Sequence, residues 1–222
     1  WRDHSIDRPK AAYENYAYLD GQFDDNVILQ VKNGPYDFQV REPVSPLLYT
    51  MPKTTKAIEY QLAQEYTGQQ IDLYYMAPMW HEVMDALPNQ PPHIVAVTNL
   101  GDDENWTGHD LAQANLFAYG EMAWQGKKFD GVETLKDWIY LSFGPDFAEA
   151  ARLEKMMLSS RSTYEKYTAN LGLGWMVTPH SHYGPDAEGY EYDLWGTYHR
   201  ANREAVGIDR SDKGTGYAMQ YP

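Results

Sequence analysis

Asn26-Val27-Ile28-Leu29-Gln30-Val31-Lys32, followed at once by Asn33-Gly34-Pro35, is the stretch on which the fold class turns. A short run rich in β-branched and aliphatic residues that stops at a turn signal predicts a strand. Two later runs read the same way. Residues 57–65 (Ala-Ile-Glu-Tyr-Gln-Leu-Ala-Gln-Glu) alternate and end near Gly68, and residues 93–98 (His-Ile-Val-Ala-Val-Thr) are short and apolar, with Gly101 just beyond. Helix-like sequence lies before the first strand, over residues 9–18, and after the second, over residues 78–87, with Pro9 suited to a first helical turn. Strands that recur about every thirty-odd residues with helices between them predict βα units and a parallel sheet.

Beyond the third strand the pattern changes. Residues 109–124, 132–143 and 146–167 each read as a helix, the first with Leu111, Ala112, Leu116, Ala118 and Tyr119 as its apolar residues. From Leu171 onward the chain is rich in glycine, tyrosine and histidine without a clear period, and reads as ordered loops because it is too aromatic for a disordered tail. Three parallel strands cannot close a barrel and would leave two open edges. The expectation is therefore either a small open α/β domain or the later part of a barrel.

The 222 residues are enough for one ordinary domain with a sizeable core. Lys and Arg total 18 against 32 Asp and Glu, a formal charge of −14. Such a surface argues against nucleic acid and anionic membranes as partners, and no apolar run approaches a membrane span. With no cysteine, disulfide scaffolds, thiol catalysis and Cys-type zinc sites are excluded, and the redox compartment is unreadable. Tyr 19, Trp 7 and Phe 6 bring the aromatic share to 14%, a composition that suits sugar handling as well as core packing. The chain opens at Trp1 without an initiator Met or signal peptide, which reads as incomplete and leaves localisation unknown.

In parallel α/β architectures functional groups gather at the C-terminal ends of strands. Lys32 ends the first predicted strand, Asp37 follows just past Gly34-Pro35, and Glu65 ends the second. Two carboxylates on one rim suit glycoside hydrolysis, and a lysine beside them suits an anionic substrate group. Each also has a plain structural reading: turn chemistry for Asp37, a solvated charge for Glu65, a gatekeeper against edge pairing for Lys32.

The third strand leads into the polar run Asn99-Leu100-Gly101-Asp102-Asp103-Glu104-Asn105-Trp106-Thr107-Gly108-His109, where Trp106 could stack on a sugar ring, and where Thr107 or Asp110 could equally cap the next helix. Asp102-Asp103-Glu104 lacks the oxygen spacing of a calcium loop. His180 and His182 have no third ligand at a convincing spacing, and His81-Glu82 belongs to no HExxH helix, so no metal is expected. No phosphate loop or nucleophile elbow is present, and no cofactor is expected.

Longer motifs then narrow the field. Residues 25–43, Gln64-Glu65-Tyr66-Thr67-Gly68-Gln69, Asn105-Trp106-Thr107-Gly108-His109 with Ala112-Gln113-Ala114-Asn115, Leu171-Gly172-Leu173-Gly174-Trp175-Met176-Val177, and the run from Gly189-Tyr190-Glu191-Tyr192 through Trp195-Gly196-Thr197-Tyr198-His199-Arg200-Ala201 resemble the α-glucuronidases of glycoside hydrolase family 67, in order and over nearly the whole chain.

The resemblance implies a C-terminal part of a (β/α)8 TIM barrel, about strands six to eight, over residues 1–108. A mainly α-helical C-terminal region would follow over residues 109–222. It implies inverting hydrolysis of the α-1,2 bond between (4-O-methyl)glucuronic acid and xylose in glucuronoxylan-derived oligosaccharides. Asp37 and Glu65 match the carboxylates that activate water, and Lys32 matches a lysine that binds the uronate. Trp195 or Trp175 would line the sugar pocket or pack beneath it.

The family's general acid and a second uronate-binding arginine would fall upstream of Trp1, so these 222 residues alone are expected to hydrolyse poorly or not at all. The loop between His81 and Val95 is shorter than is usual in the family. A non-catalytic acidic-sugar-binding protein is the alternative, and family members leave a homodimer through the C-terminal region open.

Overall fold

The structure, a computed structural model, describes residues 11–33, 44–62, 72–87, 93–98 and 109–168. Within them β1 (Leu29–Lys32), β2 (Lys56–Gln61) and β3 (His93–Val97) form a parallel sheet in the order β1-β2-β3. Lys32 lies opposite Glu59, and Glu59 opposite Val95. Helices α1 (Ala11–Tyr16), α2 (Leu47–Thr50), α3 (Ala77–Ala86), α4 (Gln113–Gln125), α5 (Gly131–Phe143) and α6 (Ala150–Thr168) complete the described elements, with short 3-10 turns between some of them. The result is an α/β fold with a three-stranded parallel sheet and flanking helices; a closed barrel is not seen among the described residues.

Three sequence expectations need correction at their ends. The first strand begins at Leu29 rather than Asn26, because β2 starts only at Lys56 and offers Val27 and Ile28 no neighbour; Leu29 N–H makes its bond to Thr55 O at 2.9 Å, while Val27 and Ile28 stay exposed. The second strand closes at Gln61, four residues before its expected end, and Glu65 itself lies outside the described residues. Asp110 does not stand at an N-cap position: it sits inside a 3-10 turn (Asp110–Ala112) that begins after extended His109 and precedes α4, whose own N-cap is Ala112. The later helices form close to where they were expected, and the one-turn α2 is an addition.

Strand alternation gives the sheet two unlike faces. Val31, Ile58 and Tyr60 are buried on one, with Leu29, Ile94 and Ala96 packed beside them against the helical layer. Trp80 of α3 anchors that layer. Its ring meets Tyr60 and Tyr119 edge-on at 6.2 and 6.1 Å, and its Nε1 donates to Gln61 O at 3.1 Å. Gln30, Lys32, Ala57, Glu59, Gln61, His93, Val95 and Val97 share the other face by register. Four of these eight are polar at β1 and β2, unlike the all-apolar strands of a sheet covered by helices on both sides.

The helical layer is one continuous core with the sheet. Ala114, Ala118 and Met122 of α4 join Leu135, Trp138 and Ile139 of α5 and Leu153, Met157 and Tyr164 of α6. Helices α3 and α5 come very close: a Cβ on Gly131 would lie 2.8 Å from Ala77 Cβ, so that position has no room for a side chain.

Immediately before it, Asp130 caps α5. Its Oδ1 accepts from Val132 N at 2.8 Å and Glu133 N at 3.1 Å, and those N–H donors, Glu133 first, hold its carboxyl below the ordinary aspartate range. Asp130→Ala is expected to cost about 1 kcal/mol. A carboxyl whose folded pKa is depressed adds stability above its unfolded pKa and loses it as pH falls through the folded value. The difference from the unmodified protein should thus be full at neutral pH and shrink in acid; urea melts at two pH values check this, and equal midpoints at neutral pH would remove the cap from the account.

Candidate functional site

The polar face is built at the C-terminal ends of β1 and β2. Lys32 and Glu59 stand opposite each other across the parallel ladder, which aims both side chains to the same side. Lys32 Nζ lies 3.9 Å from Glu59 Oε1, and Gln30 Nε2 donates to Glu59 Oε2 at 2.5 Å. The Glu59 carboxylate is therefore engaged from two sides and is nearly buried, whereas the longer lysine remains 37% exposed.

One pleat further toward the rim is Gln61, 1% exposed, whose Oε1 and Nε2 both lack a hydrogen-bond partner among the described residues. Buried amides are normally satisfied, and one that is not marks either a cost to the fold or a place for a ligand.

The backbone beside these residues is well anchored. Asn33 N–H donates to Glu59 O, and Asn33 O accepts from Ser45 N–H, both at 2.9 Å. This pins both ends of the segment that carries Asp37 to the C-terminal end of β1. Likewise Leu62 N–H donates to Val97 O at 3.0 Å, tying the chain that leads to Glu65 to the end of β3. Of the five expected site residues, Lys32 ends β1, where the sequence placed it, and shares a face of the sheet with Glu59. Asp37, Glu65, Trp106 and Trp195 lie outside the described residues, as do Trp175, Thr107, Asp102-Asp103-Glu104, His180 and His182.

Residues that sequence reasoning passed over are Gln30, Glu59 and Gln61. Their signal was present in the alternation of residues 57–61, but periodicity alone does not say which of two faces looks into a site. A second missed group lies in the connections after β2 and β3. Burial lowers the pKa of His109, opposed by the Asp72 backbone and by the charges of Asp110 and Asp72; burial raises the pKa of Asp72, opposed by His109. Both shifts favour the uncharged forms.

The Tyr60 phenol, pushed up by burial with Tyr119 adding, faces the helices and belongs to the core. Among the described residues no group of three potential ligands could hold a metal, and His81 instead pairs with Asp85 at 3.3 Å along α3. No described helix is long and apolar enough to cross a membrane.

Comparison with known proteins gives two adjoining matches. Residues 1–92 match the family described as glycosyl hydrolase family 67 middle domain, and residues 107–222 match glycosyl hydrolase family 67 C-terminus. A probable alpha-glucuronidase A of Aspergillus flavus is 42% identical, with 97% of this chain and 28% of the relative covered. The alpha-glucuronidase A proteins of Emericella nidulans and Aspergillus tubingensis are 41% and 40% identical, with 99% of this chain and 28% of each relative covered. The chain thus spans a little over a quarter of the length of these curated relatives.

Proposed function

The chain belongs to glycosyl hydrolase family 67, and from that premise we propose that it carries the water-activating part of an α-glucuronidase active site. On this reading residues 1–108 contribute about strands six to eight of a (β/α)8 barrel, and residues 109–222 a mainly helical C-terminal region. The observation that carries the reading is the two-faced sheet. Its apolar side is covered by helices, as on the outside of a barrel, and its other side presents Lys32, Glu59 and Gln61 at the strand ends where barrel enzymes place their chemistry.

The proposed substrate is a xylo-oligosaccharide bearing (4-O-methyl)glucuronic acid through an α-1,2 bond. Lys32 meets the uronate carboxylate. Either Asp37 or Glu65 accepts the one proton of the attacking water as it bonds to the anomeric carbon, the other holding the water in place, while a general acid protonates the departing xylose oxygen from the opposite side. Inversion sets the two carboxyl groups about 6.5–9.5 Å apart so that water fits between sugar and base. The acid is proposed to come from the part of the relatives' length that this chain does not span. Trp106 and Trp195 are the aromatic groups proposed to flank the sugar, where ring faces suit apolar sugar C–H surfaces.

The direct test is release of 4-O-methylglucuronic acid from a short aldouronic xylo-oligosaccharide, measured with the full-length gene product and with the 222-residue chain. Turnover by the former with little by the latter is expected. Saturable uronate binding without release by the full-length protein would replace hydrolysis with sugar binding.

Lys32→Met tests the uronate contact. A charge-assisted hydrogen bond is worth about 1.5–3 kcal/mol, so KM should rise about 10- to 100-fold with a smaller change in kcat. Unchanged KM would take Lys32 out of the substrate site.

A further inference from the structure

We infer that Gln61 is a sugar-contacting residue of this site and reads ring hydroxyls, while Lys32 beside it reads the carboxylate. The sugar's identity rests on the glycosidase reading above. Three observations converge. Gln61 lies on the same face of the sheet as Lys32 and Glu59, one pleat closer to the rim. Its side chain is 1% exposed, yet neither the amide oxygen nor the amide nitrogen has a partner among the described residues. Its backbone is held: Gln61 O accepts from Trp80 Nε1 at 3.1 Å, and the next residue's N–H bonds to Val97 O at 3.0 Å. The amide therefore stands on a rigid strand end.

The chemistry of the amide selects the ligand. A primary amide offers a donor and an acceptor side by side. A carboxylate could satisfy the nitrogen only and would leave Oε1 unpaired. Hydroxyls both donate and accept, so a pair of ring hydroxyls satisfies both ends. An amide that is buried and unpaired weakens the fold, as an unpaired buried polar group does elsewhere. The gain appears when a ligand carrying hydroxyls arrives, and a ligand lacking them is then rejected because the amide stays unsatisfied.

The experiment replaces Gln61 by methionine, which keeps an unbranched side chain of similar length and removes both polar atoms. In the full-length gene product, thermal unfolding without ligand and calorimetric binding of D-glucuronate are measured. A raised Tm with glucuronate affinity weakened about 10- to 100-fold is expected. The ratio of glucuronate to glucuronamide affinity should be unchanged by Gln61→Met and should collapse in Lys32→Met.

A lowered Tm or failure to fold would mean that the amide is satisfied within the fold, and would overturn the inference. So would affinity within twofold of the unmodified protein, a changed ratio in Gln61→Met, or no glucuronate binding by the unmodified protein. If the unmodified protein binds glucuronate but releases no uronic acid, the glycosidase reading fails and the binding results still decide Gln61.

Discussion

Glu65→Gln in the full-length gene product should lower kcat for uronic acid release by about 10²- to 10⁴-fold while KM stays within a few-fold. The substitution keeps size and shape and removes the lone proton acceptor that a carboxylate offers to water. General-base assistance contributes a factor of that order, and because the base acts on water in the transition state, its loss falls on kcat. Asp37→Asn is the paired experiment. If Glu65 is the base, its replacement should abolish the acidic limb of the pH–kcat/KM profile, while Asp37→Asn leaves that limb in place and acts mainly through the position of the water. The reverse pattern assigns the base to Asp37. Near-normal turnover in both variants would sink the proposed roles.

The second large effect concerns stability. Asn115 of α4 is almost wholly buried, and its side chain closes on the segment that leads into α3: Oδ1 accepts from Met76 N–H at 2.8 Å, and Nδ2 donates to Tyr74 O at 2.9 Å. Two other elements hold the same three residues. Tyr75 N–H donates to Ser160 Oγ of α6 at 2.8 Å, and Tyr75 OH donates to Gly131 O at the start of α5 at 2.7 Å. A stretch that is neither helix nor strand thus has backbone polar groups met by side chains from α4 and α6.

Asn115→Leu would leave one N–H and one C=O buried without partners, each costing about 1–3 kcal/mol, for a total of roughly 2–5 kcal/mol. At this size that is a fall in Tm of about 5–15 °C. Thermal and urea unfolding check it, and a loss below about 1 kcal/mol would show that the segment finds other partners.

These two residues mark how far sequence reading reaches. Asn115 appears in a recognisable motif, but nothing in its spacing shows that it braces Tyr74 and Met76, because those contacts join residues about forty positions apart. Glu65 became a candidate as the expected end of a strand. The strand closes four residues earlier, at Gln61, and the tertiary placement of Asp37 and Glu65 lies outside the described residues, so their roles rest on family resemblance. Lys32 was legible because strand and turn signals meet there.

The sequence by itself determined that β1, β2 and β3 run parallel with helices between and after them, since β-branched runs, turn residues and their spacing act locally. It also carried the family motifs, because these are contiguous. Only the tertiary structure decided that Glu59 and Gln61 look away from the helices, that Gln30 and Lys32 share the Glu59 carboxylate, and that Gly131 must lack a side chain. Alternation sorts a strand's residues into two sets, but it is helix packing from the rest of the chain that chooses which set faces the helical layer.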